Sequence, residues 1–195
     1  MQELLKRYPR LALCSKDIEN GLNLMIDTYK KGGKILLCGN GGSAADCEHI
    51  VGELMKGFMK PRVVRDERLP EHIRRRLQGA LPAISLPGQT AFVSAFNNDV
   101  DPETVYAQMV YGYAKENDLF IGISTSGNSK NVVLASETAK SIGIKTMALT
   151  GEKESRLSEI SDVCIKVPET ETYKVQEYHL PVYHYLCEKT EAFFF

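Results

Sequence analysis

Apolar positions along this chain follow two alternating patterns: short unbroken runs, and longer stripes in which they recur every three or four residues. The largely apolar runs Ile35 to Cys38, Leu81 to Leu86, Leu119 to Ile123, Lys145 to Thr150 and Val163 to Val167 predict strands. Runs with little polar interruption suit strands buried on both faces, as in a parallel sheet. The stripes predict helices. One follows Ser15, a candidate N-cap, through Ile18, Leu22, Met25, Ile26 and Tyr29 to a stop at Gly32-Gly33. Others are expected from about Ala44 to Lys60, from Thr90 to near Phe96, and through Val105, Met109, Val110 and Tyr113 behind an Asp101-Pro102 start. Three more cover Val132 to Ala139, Ser155 to Ser161, and about Tyr173 to Glu191 with Pro181 inside. Strands alternating with helices predict one α/β domain, a three-layer sandwich in which a parallel sheet is covered on both faces. Pro9 sets Met1 to Tyr8 apart as a short helix or docking arm, so that residues 1 to about 31 form an N-terminal helical arm.

Open parallel sheets bind ligands beyond the carboxyl ends of their strands. Two polar loops fall there. After the first run comes Gly39-Asn40-Gly41-Gly42-Ser43, where glycines permit a sharp turn and a close approach of backbone to ligand. After the third comes Ser124-Thr125-Ser126-Gly127-Asn128-Ser129. Hydroxyls and helix-end N–H groups bind phosphate without needing lysine. A capped turn is the plainer reading of that loop, but one cap needs one hydroxyl and four crowd into six residues.

Past the glycine loop, His49 and Glu53 are four apart and share one face of the predicted helix. Metal coordination and proton transfer are both open to such a pair, as is an ordinary solvated helix face. Gln176 and His184 lie within about 80° of each other on the last helix, where Pro181 removes one backbone hydrogen bond and can bend the axis. Asn98 and Asp99 read as turn formers. From Lys60 to Gly79 seven basic residues face three acidic ones. A mobile lid or a nucleic-acid contact are the functional readings of that stretch; with few aromatics interleaved, a solvated insertion is the expectation.

Composition narrows the class. At 195 residues with 43% hydrophobic content the chain suits one core, and a net charge of -1 makes neither nucleic acid nor an anionic membrane an expected partner. Cys14, Cys38, Cys47, Cys164 and Cys187 are odd in number and scattered through apolar patterns, which suits reduced thiols. Met1 to Arg10 carries no signal-like apolar region and no apolar run is long enough to span a membrane, so a cytoplasmic setting is expected.

Taken in order, these residues resemble the SIS (sugar isomerase) domain family and, within it, the phosphoheptose isomerases. The resemblance runs from about Ser15 to Glu191. It is carried by Gly39-Asn40-Gly41-Gly42-Ser43-Ala44-Ala45-Asp46 with His49 and Glu53, by Asn98-Asp99, by Ser124 to Ser129, and by Gln176-Glu177 with His184. The fold it implies is a five-stranded parallel sheet flanked by helices, flavodoxin-like in character, usually in homotetramers with active sites between subunits. The implied reaction converts sedoheptulose 7-phosphate to D-glycero-D-manno-heptose 7-phosphate through an enediol or enediolate, with no nucleotide cofactor.

By the same resemblance, Glu53 is the base and His184 the partner acid/base. Ser124, Thr125, Ser126 and Ser129 form the phosphate cradle, and Asn40, Gly41, Gly42, Ser43, Asn98, Asp99 and Gln176 meet the sugar. Some relatives bind zinc through residues matching His49, Glu53, Gln176 and His184, and Zn2+ is expected here. Two departures stand out: Lys56-Gly57 where the family usually has Gly-Arg, and Tyr173 where some relatives have aspartate. The competing readings are a non-catalytic phosphosugar-binding or DnaA-associating SIS protein, and an isomerase of another phosphosugar. Glu53 with His184 favours catalysis, since a binding module has no need of paired proton-transfer groups.

Overall fold

Five strands, β1 (Ile35–Gly39), β2 (Ala83–Ser85), β3 (Leu119–Ile123), β4 (Lys145–Thr150) and β5 (Val163–Lys166), pair in parallel in the order β2-β1-β3-β4-β5. The structure is a computed structural model and describes residues 1–195. β1 and β3 are buried along their whole length, as their unbroken apolar runs predict. The two-residue strand period divides the core. Ile35, Leu37, Leu119, Ile121, Met147 and Leu149 face one helical layer, while Leu36, Cys38, Phe120 and Ala148 face the other.

The first layer holds α1 (Gln2–Arg7), a 3-10 segment Pro9–Cys14, α2 (Ser15–Lys30) and α3 (Gly42–Met55). After α3 come α4 (Glu71–Arg74) in the basic stretch, then α5 (Thr90–Asp99), α6 (Val105–Tyr113), α7 (Lys130–Ser141) and α8 (Arg156–Ile160). α6, α7 and α8 supply the second core, and α9 (Thr172–Phe194) closes the first layer against α2 and α3. Strand order reverses at β1, so β1 and β3 flank the switch point where ligands bind in such sheets. Gly39 pairs with Ile123, so Asn40 and Ser124 leave the sheet side by side.

Several local expectations are corrected. Ser15 does not cap α2: Cys14 holds the cap position and the Ser15 hydroxyl donates to Ala12 O at 3.0 Å. α3 stops at Met55, five residues before Lys60, because the backbone turns extended at Lys56. Asn98 and Asp99 are the last residues of α5 instead of a free turn. Asp101 accepts a hydrogen bond from Glu103 N at 2.9 Å in a local turn, and α6 starts only at Val105. α9 runs unbroken through Pro181 to Phe194, taking in most of the terminal phenylalanines; Phe194 packs edge-on against Tyr29. The basic stretch is pinned at its base by a bridge between Val63 and Gln78. Most of it is solvated, but Arg62, 2% exposed, is core.

Candidate functional site

Three elements converge at the carboxyl edge of β1 and β3. The glycine loop launches α3: Gly41 sits at φ +55°, open to glycine, and a Cβ on Gly42 would stand 2.6 Å from the Gln176 amide nitrogen. That close approach brings α9 against the loop. About two turns into α3, His49 lies among three partners. Its Nε2 is 3.3 Å from Glu53 Oε1 and 3.3 Å from His184 Nε2, and its Nδ1 is 2.9 Å from the Tyr183 hydroxyl.

Tyr183 also donates to Asp46 Oδ1 at 3.2 Å. Burial, reinforced by the Asp46 carboxylate, pushes the Tyr183 phenol well above its ordinary pKa, so it remains a proton donor. With the phenol proton directed at Asp46, the Tyr183 oxygen accepts from His49 Nδ1–H, which leaves His49 Nε2 facing Glu53 and His184. Burial, followed by the neighbouring His49, holds the His184 imidazole below its ordinary value against the opposing pull of Glu53. Neutral at pH 7, it retains a lone pair for proton transfer. The Phe58 ring covers it at 5.6 Å between centroids.

Glu53 is reached from its other side by Lys56, whose ammonium donates to Oε2 at 3.0 Å. The Lys56-Gly57 departure therefore puts a cation on the carboxylate itself. As the side chains stand, no group of three or more His, Cys, Asp or Glu could hold a metal ion. His49 meets Glu53 and His184 separately.

In the serine loop, Ser124 Oγ lies 2.9 Å from Ser129 Oγ and 3.5 Å from Ser126 Oγ. Ser129 occupies the N-cap position of α7 without a side-chain cap bond, so the hydroxyls face one another instead of the helix. Asn40 exchanges two amide hydrogen bonds with Asn131, at 2.9 and 3.0 Å, across the switch point. Ser43 is buried at the start of α3. Asn98 donates to Asp99 at 2.8 Å on α5, whose residues are all at least partly exposed; within the chain these two join neither polar loop. No motif or spacing in the sequence assigns a role to Asp46, Tyr183 or Asn131. Asp46 and Tyr183 sit beside His49 and His184 in position along their helices, which is the one local signal that pointed to them.

The SIS domain family model matches residues 2–151, which leaves α9 outside the match. Relatives cover that helix. A phosphoheptose isomerase of Akkermansia muciniphila is 38% identical over 184 residues, 94% of this chain and 89% of its own length. Another, from Nitratiruptor sp., is 40% identical over 171 residues, 88% of this chain and 83% of its own. Among solved structures, a phosphoheptose isomerase from Francisella tularensis superposes with a TM-score of 0.80 at 27% identity, covering 97% of this chain and 93% of that one. The phosphoheptose isomerase of Neisseria gonorrhoeae gives 0.78 at 28%, covering 97% and 94%. With its sheet order, its two polar loops and the His49–His184 contact in the same frame, this chain belongs to the SIS domain family, in the branch of the phosphoheptose isomerases.

Proposed function

We infer that the protein is an aldose–ketose isomerase that converts sedoheptulose 7-phosphate to D-glycero-D-manno-heptose 7-phosphate. The observation that carries this is the meeting of α3 and α9, where Glu53 and His184 both touch His49 beside the two polar loops. Interconverting ketose and aldose moves a proton between C1 and C2 and shifts protons on the two oxygens. Glu53, 13% exposed, takes the carbon-bound proton and returns it to the neighbouring carbon. His184, with its lone pair available, passes protons between the oxygens. Ser124, Thr125, Ser126 and Ser129 hold the phosphate, with the first N–H groups of α7 adding positive potential. Asn40, Gly41, Gly42, Ser43 and Gln176 orient the sugar, and Asn98 and Asp99 do so from a neighbouring subunit. The Phe58 ring shields His184 from bulk water.

Zinc is proposed at His49, Glu53, Gln176 and His184. Two imidazoles and a carboxylate are good zinc donors, and the 3.3 Å separations match the spacing of about 3.3 Å between ligand atoms around a tetrahedral ion with bonds of about 2.0–2.1 Å. Side-chain rotation is needed to bring the set together. When bound, the ion would polarise the carbonyl and offset charge on the enediolate oxygens. Elemental analysis of gently purified protein reads metal content directly, and activity before and after chelation reads its role.

A homotetramer with sites between subunits is the proposed assembly, supported by the uncovered α5, where Phe92 and Phe96 stack at 5.5 Å. We place the protein in the cytoplasm, a setting that suits five free thiols; no helix is long and apolar enough to cross a membrane. One SIS domain is proposed to span residues 1–195, with the arm and the basic insertion as its additions. The test is incubation of the pure protein with a panel of ketose phosphates in deuterated water. Aldose formation and deuterium at C2 with sedoheptulose 7-phosphate are expected; tight sugar-phosphate binding without exchange would mean a binding protein.

A further inference from the structure

Arg62 stands at the start of the basic stretch but does not share its character. Its side chain is 0% exposed, and that of its partner Glu191 is 1% exposed, with Arg62 Nε donating to Glu191 Oε1 at 2.8 Å. A buried ion pair is expensive to desolvate and persists only when its remaining hydrogen-bonding groups are filled. Here they are filled by the end of α3. Arg62 Nη2 donates to the carbonyl of Glu53 at 2.9 Å and Nη1 to that of Leu54 at 2.5 Å. Both carbonyls are in the last turn of α3, where no helical N–H follows, and the guanidinium brings positive charge to the negative end of that helix.

Glu191 works on the same corner. It accepts from Phe58 N at 2.8 Å and Met59 N at 2.7 Å. Burial alone would raise its carboxyl; those two donors and Arg62 outweigh burial and hold it below the ordinary glutamate value, so it stays charged. Glu191 lies seven residues after His184 on α9, a rotation of about 20° from two full turns, so both project from one face of that helix. Phe58, fixed through its N–H, lays its ring against His184. The Phe195 ring seals the pair, its centroid 4.9 Å from the guanidinium.

We propose that Arg62 is a positioning residue for the isomerase, acting with Glu191 as a buried clamp that sets the distance and angle between Glu53 on α3 and His184 on α9. It touches no substrate atom. It binds the backbone of the residue that removes the proton, and through Glu191 the helix that carries the second acid/base. The proposal rests on the isomerase reading above, and its test separates the two.

Arg62→Lys keeps the charge but cannot reach two carbonyls and a carboxylate together, Glu191→Gln keeps size and one acceptor, and Phe195→Ala removes only the sealing ring. Each is assayed with sedoheptulose 7-phosphate well below its own unfolding temperature, beside hydrogen exchange of the Phe58 and Met59 amides. In Arg62→Lys and Glu191→Gln, kcat is expected to fall by roughly 10- to 100-fold with KM within about twofold, because misplacement of reacting groups lowers the rate without weakening substrate contacts. Exchange at Phe58 and Met59 should rise while β4 amides stay protected. Phe195→Ala, at the chain end, keeps the test open if the other two do not fold; a smaller fall of about threefold in kcat, with the same local rise in exchange, is expected. Unchanged kcat in the folded variants overturns the clamp, as does a loss of kcat matched by a global rise in exchange. A wild-type protein that turns over no sugar phosphate overturns the isomerase reading alone; the clamp is then judged by exchange, and wild-type protection of Phe58 and Met59 in the variants overturns it.

Discussion

The α3–α9 seam and helix α5 hold residues assigned to the same site, and they are built in opposite ways. In the seam each functional side chain has partners from its own chain: His49 touches Glu53, Tyr183 and His184, and the corner beneath is closed by Arg62 and Glu191. On α5, Asn98 and Asp99 have only each other, and no residue of that helix is buried despite an apolar sequence. The residues assigned to proton transfer are thus organised within one chain, whereas Asn98 and Asp99 would reach the site only through the proposed second copy. Geometry that decides a rate is held by a packed core, while geometry that admits a ligand is left at a surface.

The strongest way to break this contrast is to remove chemistry from the seam. Glu53→Gln and His184→Ala should each lower kcat by about 10²- to 10⁴-fold with little change in unfolding temperature. An Asn98→Ala change with an equal loss in kcat would erase the distinction.

Acid should act on the seam next. His179, fully buried on α9, donates to Thr150 O at 3.3 Å, and burial pushes its imidazole down to about 4. The unfolded chain binds that proton near pH 6.5 and the folded chain only near pH 4. Stability is therefore full above about pH 6.5 and declines as pH falls toward about 4, by about 3 kcal/mol in total. Denaturant unfolding between pH 7 and pH 4.5 measures the slope, and His179→Gln should flatten it; an equal slope in that variant would assign the acid sensitivity elsewhere.

The α5 half is probed by assembly. Phe92→Asp is expected to weaken association by about 2 kcal/mol, seen in light scattering as dissociation at higher protein concentration, with the unfolding of each chain unchanged. Activity that then falls on dilution would tie α5 to catalysis through its neighbour. The smallest effect is expected in the phosphate cradle. Ser129→Ala removes one hydroxyl contact of about 1 kcal/mol, so KM should rise about fivefold with kcat nearly constant.

Much of this was legible in the chain. The alternation of apolar runs and stripes predicts β1, β3 and β4 at their observed places, and the polar loops fall where the strands end, because burial on both faces demands a largely apolar run and a helix needs only one apolar stripe. His49 and Glu53 share a face through helical periodicity alone, and they meet as that spacing predicts. Local start signals were less reliable. Ser15 and Asp101-Pro102 carry good capping chemistry, yet Ser15 turns back to Ala12 and Asp101 closes a turn on Glu103, since a hydroxyl or carboxylate bonds whichever N–H or carbonyl the backbone brings closest.

Tertiary packing alone decided the rest. Arg62 stands 129 residues from Glu191, and nothing in a run of charges says which member turns inward. It is buried at the abrupt end of α3, where the carbonyls of Glu53 and Leu54 lack helical N–H partners and accept from its guanidinium just where α9 passes with a carboxylate. Tyr183 and Asp46 likewise became partners of His49 only through the packing of α9 on α3. Sequence period specifies which face of an element is apolar. Which polar groups then meet across two packed faces depends on the angle and offset at which those faces pack, and these belong to the whole fold.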